Sequence, residues 1–126
     1  MTASPEAVAM TLAAAAAAEE KLARQVLAFD VSEQLAIADV FLLCSGNSER
    51  QVDAIVDAIE ERLRESFDRR PLRREGQRDS RWVLLDYLDL VVHVQHEAER
   101  EFYSLERLWK DCPLISLPAT RIEESS

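Results

Sequence analysis

The chain has 126 residues, of which 15 are basic and 24 acidic, so its formal net charge is −9. That length suits one globular domain with a real hydrophobic core and leaves no room for a second full domain. The acidic balance argues against a protein whose main partner is bare nucleic acid, because phosphate binding depends on clustered Lys and Arg.

The first predicted element is a helix over about residues 4–28. Ser4 is a suitable N-cap, Pro5 follows at the first helical position, and Glu6 lies in the first turn. The alanine-rich sequence that follows favours a helix. One side of this helix is predicted to present Leu12, Ala15, Ala16, Glu19, Leu22 and Val26. We expect residues 1–10 to fray and residues 29–32 to form a short strand.

The segment at residues 38–44 contains a continuous apolar run at residues 40–44, which predicts a strand that is buried on both faces. Residues 48–67 follow as an amphipathic helix. Its start fits a capping box, in which Ser48 and Gln51 satisfy free backbone N–H groups. The apolar positions at helical spacing are Val52, Ile55, Val56, Ile59, Leu63 and Phe67. Strand, glycine turn and helix together make a βα unit.

The second helix ends at Pro71, which cannot continue it. Beyond it we expect a polar edge strand at residues 72–75 and a turn at residues 76–80. Two strands follow, at residues 81–86 and 90–96, and then a last helix at residues 99–109. The apolar side of that helix is predicted to be Phe102, Leu105, Leu108 and Trp109. The order of elements predicts an α/β domain with a central mixed sheet. We expect one domain over residues 1–112 and a flexible tail over residues 113–126.

The connector Asp86-Tyr87-Leu88-Asp89 lacks glycine, so it is not the usual type I′ hairpin turn. Tyr87 and Leu88 are awkward in a turn, which should be polar. Apolar and aromatic groups that are rimmed by charge are typical of a binding patch. The alternative is that both side chains fold back over the core of the domain.

Candidate catalytic sets are weak. Asp86 and Asp89 could hold a metal, but acids that cap a turn are the better interpretation. The run at residues 45–48 opens a helix and could hold a phosphate, but it lacks the lysine of a P-loop. His93 and His96 are three residues apart in a strand, which points them to opposite faces and works against a zinc site. These residues do not exclude an enzyme, but they do not specify one. We expect no metal and no cofactor.

Two further features, the arginine content of one stretch and the number of cysteines, bear on the partners and on the cellular compartment. Residues 62–81 contain eight arginines against four acids. These arginines either form a solvated helix end and loop or lie near RNA at the rim of a binding surface. Cys44 and Cys112 do not make a disulfide framework, so a reducing cytoplasm is expected. No secretory signal and no membrane-spanning run are recognised.

Three ordered blocks carry a family likeness: residues 38–52 (ADVFLLCSGNSERQV), residues 75–94 with WVLLDY at 82–87, and residues 100–109 (REFYSLERLW). In this pattern the chain resembles the ribosomal silencing factor family, also called the RsfS or Iojap family. The likeness covers about residues 13–109. One departure is Leu88, which stands where the family often has glycine.

The resemblance implies a fold similar to a nucleotidyltransferase domain without a working active site. It also implies a non-catalytic factor that binds the large ribosomal subunit through ribosomal protein fourteen of that subunit. Binding there would keep the subunits apart and repress translation under nutrient limitation. Members are commonly homodimers when free. Little direct contact with rRNA and no membrane are expected.

Carried over by position, the candidates for contacting or shaping the surface that meets the ribosomal protein are Trp82, Leu85, Asp86 and Tyr87. Leu88 joins them on physical grounds. The alternative function is a nucleotide binder or nucleotidyltransferase-type enzyme on the same fold. That alternative would gather Ser45, Ser48, Asp86 and Asp89 around a phosphate and a metal.

Overall fold

The computed structural model describes residues 3–34, 38–76, 79–103 and 105–117. Its elements, in chain order, are α1 (Pro5–Glu20), β1 (Arg24–Asp30), β2 (Val40–Gly46), α2 (Glu49–Phe67), β3 (Arg73–Glu75), β4 (Trp82–Asp86), β5 (Leu90–His96), α3 (Glu97–Tyr103) and α4 (Leu105–Leu108). The predicted order of helices and strands is confirmed, with the last helix divided into α3 and α4. No helix in the described ranges is long and apolar enough to cross a membrane.

The five strands form one mixed sheet in the order β1-β2-β5-β4-β3. The central pair, β2 and β5, is parallel, and the three other pairs are antiparallel. The α/β class with a mixed sheet is therefore confirmed. Helices α1 and α2 cover one face of this sheet. Their shared core includes Leu42 and Cys44 from β2 and Val92 and Val94 from β5, all fully buried.

Helix α1 ends at Glu20, eight residues before the predicted end. Leu22 adopts a φ of 65°, in the left-handed region, and the chain then enters the outer strand β1. The buried side of α1 also differs from the prediction. It consists of Ala7, Met10, Thr11, Ala14, Ala15, Ala17 and Ala18. Small side chains on this side let the helix backbone lie close to α2 and the sheet.

The fraying expected for residues 1–10 stays a prediction, although the described residues of this segment have partners elsewhere in the chain. The Ala7 N–H donates to Ser4 Oγ at 3.1 Å, as predicted for an N-cap. The Ser4 N–H donates to the Asp39 carboxylate at 2.8 Å, and the Ala3 N–H donates to the Asp30 carboxylate at 3.0 Å. Met10 is fully buried. Long-range hydrogen bonds and burial therefore hold the start of α1.

The predicted capping box at the start of α2 is present with one difference. The Gln51 N–H donates to Ser48 Oγ at 3.0 Å. The Gln51 side-chain oxygen accepts from the N–H of Asn47, at 2.7 Å, instead of from Ser48. The Gln51 amide nitrogen also donates to the carbonyls of Lys21 and Leu22. One side chain thus joins the start of α2 to the end of α1.

In the C-terminal segment one prediction is wrong, and the flexible tail over residues 113–126 stays a prediction. Pro113 and Ile115 hydrogen-bond with β1 along its outer edge, each at 2.8 Å, so this part of the expected tail has fixed partners. Leu108 is 68 % exposed instead of buried, because α4 is a single turn and Trp109 packs inward in its place. The predicted apolar side chains of Phe102 and Leu105, and residues 118–126 of the tail, lie outside the described part of the chain.

Candidate functional site

The sheet face opposite α1 and α2 carries a row of half-buried apolar side chains. We call the surface formed by Phe41, Trp82, Leu84, Asp86 and Val91 the open face; each of these residues is partly exposed. Alternate residues of a strand point to opposite faces. The register pairs Leu84 with His93 and Asp86 with Val91, so β4 and β5 contribute adjacent columns to this surface.

The five residues predicted to contact or shape a partner surface do not lie together. Trp82 and Asp86 belong to the open face. Leu85 and Tyr87 point to the other face of the sheet, where they are 0 % and 1 % exposed. Leu88 lies at the tip between β4 and β5 and is 60 % exposed. Leu85 and Tyr87 can therefore act on a binding surface only by shaping it from within the core.

Tyr87 and Leu88, which the sequence left open between surface and core, take different positions. The Tyr87 ring packs into the core beneath α1 and α2. Burial raises the pKa of the Tyr87 hydroxyl above its ordinary range. That hydroxyl has no hydrogen-bond partner among the described residues. Folding back over the core is correct for Tyr87 and wrong for Leu88.

The two acids beside the tip are engaged by backbone and by arginines. Asp86 accepts the Leu88 N–H at 2.8 Å and pairs with Arg73 at 3.3 Å. Asp89 pairs with Arg69 at 3.2 Å, and the same guanidinium donates to the Tyr87 carbonyl at 2.8 Å. These contacts match the interpretation of turn-capping acids. Within the described ranges no three candidate ligands cluster as a metal site would require.

The residues that the alternative enzyme needs are separated along the sheet. Ser45 pairs with Gln95 at one end of β5, whereas Asp86 pairs with Val91 near the other end. Four residues of strand span roughly 13 Å. Ser48 begins α2 at the same end as Ser45. The structure therefore does not gather the hydroxyls and the carboxylates around one phosphate.

Most described arginines of residues 62–81 form ion pairs with carboxylates of the same chain. Arg74 makes a two-pronged contact with the Glu60 carboxylate, at 2.8 and 2.7 Å. Arg81 pairs with Glu49 and Glu99, and Arg62 pairs with Glu20. Of the described arginines in this stretch, Arg70 alone has no ion pair. Acids from distant parts of the sequence offset the local surplus of positive charge, which favours the solvated interpretation.

Leu88 adopts an unusual backbone conformation, with a φ of 82°. The Asp89 N–H donates to the Tyr87 carbonyl at 3.1 Å, which closes a three-residue turn around Leu88. A γ-turn with positive φ is rare and strained for any residue with a Cβ atom. Leu88, which stands where the family often has glycine, is thus a strained and exposed residue at the tip.

Replacing Leu88 by glycine should stabilise the protein. The relief of backbone strain exceeds the entropic cost of glycine, so we expect a net gain of about 1 kcal/mol. Urea unfolding of the purified variant measures this free energy. Leu88→Ala is the matched control, because it removes the same exposed side chain and keeps the Cβ strain. Equal stability of the two variants would show that the backbone at Leu88 is not strained.

Trp82 is held by a partner that the sequence analysis weighed only as a metal ligand. The indole N–H of Trp82 donates to Nδ1 of His93 at 3.2 Å. Burial lowers the pKa of His93 to about 4. Phe41 lies against the other side of the imidazole, with ring centroids 5.2 Å apart, and contacts Trp109 in turn. Side chains alternate between the two faces along β4 and β5. That alternation, combined with antiparallel pairing of the two strands, is the sequence signal that could have placed Trp82 and His93 together.

Comparisons with known proteins give the family. The family model described as "Ribosomal silencing factor during starvation" matches residues 4–126. A protein of Bacillus subtilis named Ribosomal silencing factor RsfS is 45 % identical over 104 residues, which is 82 % of this chain and 87 % of that protein. The likeness seen in the three sequence blocks is thereby confirmed.

Solved structures agree with the fold. A crystal structure of a Bacillus halodurans protein has a TM-score of 0.75 at 38 % identity, covering 90 % of this chain and all of that one (100 %). A crystal structure of a Chromobacterium violaceum protein has a TM-score of 0.77 at 27 % identity, covering 94 % of this chain and 97 % of that one. The sequence blocks, the family model and the relatives together show that this chain belongs to the ribosomal silencing factor family.

Proposed function

We propose that this chain binds ribosomal protein fourteen of the large ribosomal subunit through its open face. The bound chain would then block the small subunit sterically, which represses translation under nutrient limitation in the cytoplasm. The observation that carries this proposal is the half-exposed row of Trp82, Leu84 and Val91 on a sheet face that α1 and α2 leave uncovered. A partly exposed tryptophan with apolar neighbours and charged residues around them is a common composition of a binding hot spot.

The charge of the chain supports a protein target on the ribosome. A net charge of −9 attracts a basic ribosomal protein and is repelled by the phosphates of rRNA. The arginines of residues 62–81, which could otherwise attract phosphate, mostly pair with acids of the same chain. The proposed contact is therefore made mainly with protein. The proposal needs no catalytic step, in line with relatives that are named as silencing factors.

The homodimer that the resemblance implies stays a prediction. An apolar surface such as the open face is costly to leave in water. A second copy that covers it in the free state would have to leave before the ribosomal protein binds. Self-association through the open face would therefore compete with ribosome binding.

Replacing Trp82 by alanine tests the proposed function. We expect binding to the purified ribosomal protein to weaken at least about tenfold, because a tryptophan that a partner buries is a common hot spot. Co-sedimentation with isolated large subunits should fall in parallel, and light scattering should show subunits joining in the presence of the variant.

Leu22→Ala is the matched control for that experiment. Leu22 is 57 % exposed but lies between α1 and β1, at the far edge of the sheet from β4. Its loss should leave binding at the wild-type level. A Trp82→Ala protein that melts normally and binds as tightly as wild type would rule out the open face as the contact surface.

A further inference from the structure

The indole of Trp82 is fixed by a chain of aromatic contacts across three strands. Trp82 on β4 and His93 on β5 are diagonal neighbours of the sheet, since Trp82 pairs with Gln95 and His93 pairs with Leu84. Their ring centroids are 6.2 Å apart at an interplanar angle of 48°. The rings are thus close enough for the indole N–H to reach the imidazole edge.

The hydrogen bond between them has one direction only. An indole nitrogen donates and cannot accept, so Nδ1 of His93 must be the acceptor. The imidazole can accept at Nδ1 only when it is neutral with its proton on Nε2. Burial of His93 favours this neutral form around pH 7. The protonation state of the imidazole therefore matches the role of acceptor.

The imidazole is itself held in place. Phe41 on β2 contacts it at a centroid distance of 5.2 Å and an interplanar angle of 55°. Phe41 in turn makes an edge-on contact with Trp109, at 5.1 Å and 76°. His93 is only 6 % exposed, so its ring has little room to turn. A fixed acceptor below a half-exposed indole restricts the directions that the indole can take.

We infer that His93 is a positioning residue, which holds the Trp82 indole in one orientation on the open face. A side chain that is already ordered loses less conformational entropy when a partner binds. The effect of His93 on binding rests on the proposed function. The orientation of the Trp82 indole is a property of the free protein and does not depend on that function. His93 contacts no partner in this scheme and acts only through Trp82.

The first experiment uses the free protein in a Trp109→Phe background, which leaves Trp82 as the single tryptophan. Two substitutions are compared. His93→Phe keeps a ring and removes the acceptor, whereas His93→Asn restores an acceptor close to the position of Nδ1. We expect the indole N–H signal in ¹⁵N NMR to shift, and its exchange with solvent to accelerate, in His93→Phe but much less in His93→Asn. An indole signal that is the same in wild type and His93→Phe would overturn the inference.

The second experiment measures binding to the purified ribosomal protein. We expect His93→Phe to weaken binding about three- to tenfold and His93→Asn to restore most of it. His93→Phe should have no further effect in a Trp82→Ala protein, because its effect passes through the indole. A further loss in that background would overturn the positioning role. Wild-type binding by Trp82→Ala would instead reject the proposed function, and the NMR comparison would still decide the geometry.

Discussion

Truncating Tyr87 to alanine should cost about 3–5 kcal/mol of stability, the range for a fully buried aromatic side chain. The ring fills the core beneath α1 and α2, and the surrounding residues cannot collapse into the whole space that it leaves. Any loss of ribosome binding by this variant would follow from unfolding and not from a lost contact. Urea unfolding monitored by circular dichroism measures the change.

Two controls accompany this variant. One tests the contribution of the Tyr87 hydroxyl, and the other tests which side chains of β4 face the core. Tyr87→Phe should be unchanged or up to about 1 kcal/mol more stable, because the hydroxyl has no partner among the described residues. Leu84→Ala should cost clearly less than Leu85→Ala, since Leu84 is half-buried on the open face and Leu85 is fully buried. Equal costs for the two leucines would contradict the orientation of β4.

Acid should destabilise this protein through His93. The pKa of His93 falls from 6.5 in the unfolded chain to about 4 in the folded protein because of burial. Between those values the unfolded chain binds the proton and the folded protein does not. Stability is therefore lost as the pH falls from about 6.5, and the loss reaches on the order of 3 kcal/mol at pH 4.

The His93→Asn protein isolates this contribution. Carboxylates titrate in both proteins and cancel in the difference between their unfolding free energies. We expect the wild type to lose more stability than His93→Asn between pH 6.5 and pH 4, measured by urea unfolding at several pH values. Parallel curves for the two proteins would mean that His93 is not buried in its neutral form.

Much of the fold follows from local patterns in the sequence. The apolar run of β2, the amphipathic stripe of α2 and the cap at Ser48 each predict an element at about the place where the structure has it. The first helix was harder to delimit, because alanine favours a helix wherever it stands and carries no strong periodicity. The end of α1 depends on the turn at Leu22 and on the pairing of β1 with β2, which are tertiary features.

The proposed binding site could be predicted only in part, because its residues come from several strands. The block at residues 82–88 stands out in the sequence as aromatic and apolar. The prediction places its residues on one surface, although a strand sends Trp82 and Tyr87 to opposite faces. Phe41, Leu84 and Val91 were missed because they come from three strands, and only the sheet order brings them together. The role of His93 requires that order as well, since Trp82 is eleven residues away in sequence.

The orientation of β4 limits how this segment can change during evolution. Substitutions at Trp82, Leu84 and Asp86 change the proposed binding surface and spare the core, whereas substitutions at Val83 and Leu85 change the core and spare that surface. A single-residue insertion or deletion in β4 cannot be accommodated in this way. It would move part of the strand by one position, so that core residues would face solvent and open-face residues would be buried. The spacing of this segment is therefore under stronger constraint than the identity of any one of its apolar residues.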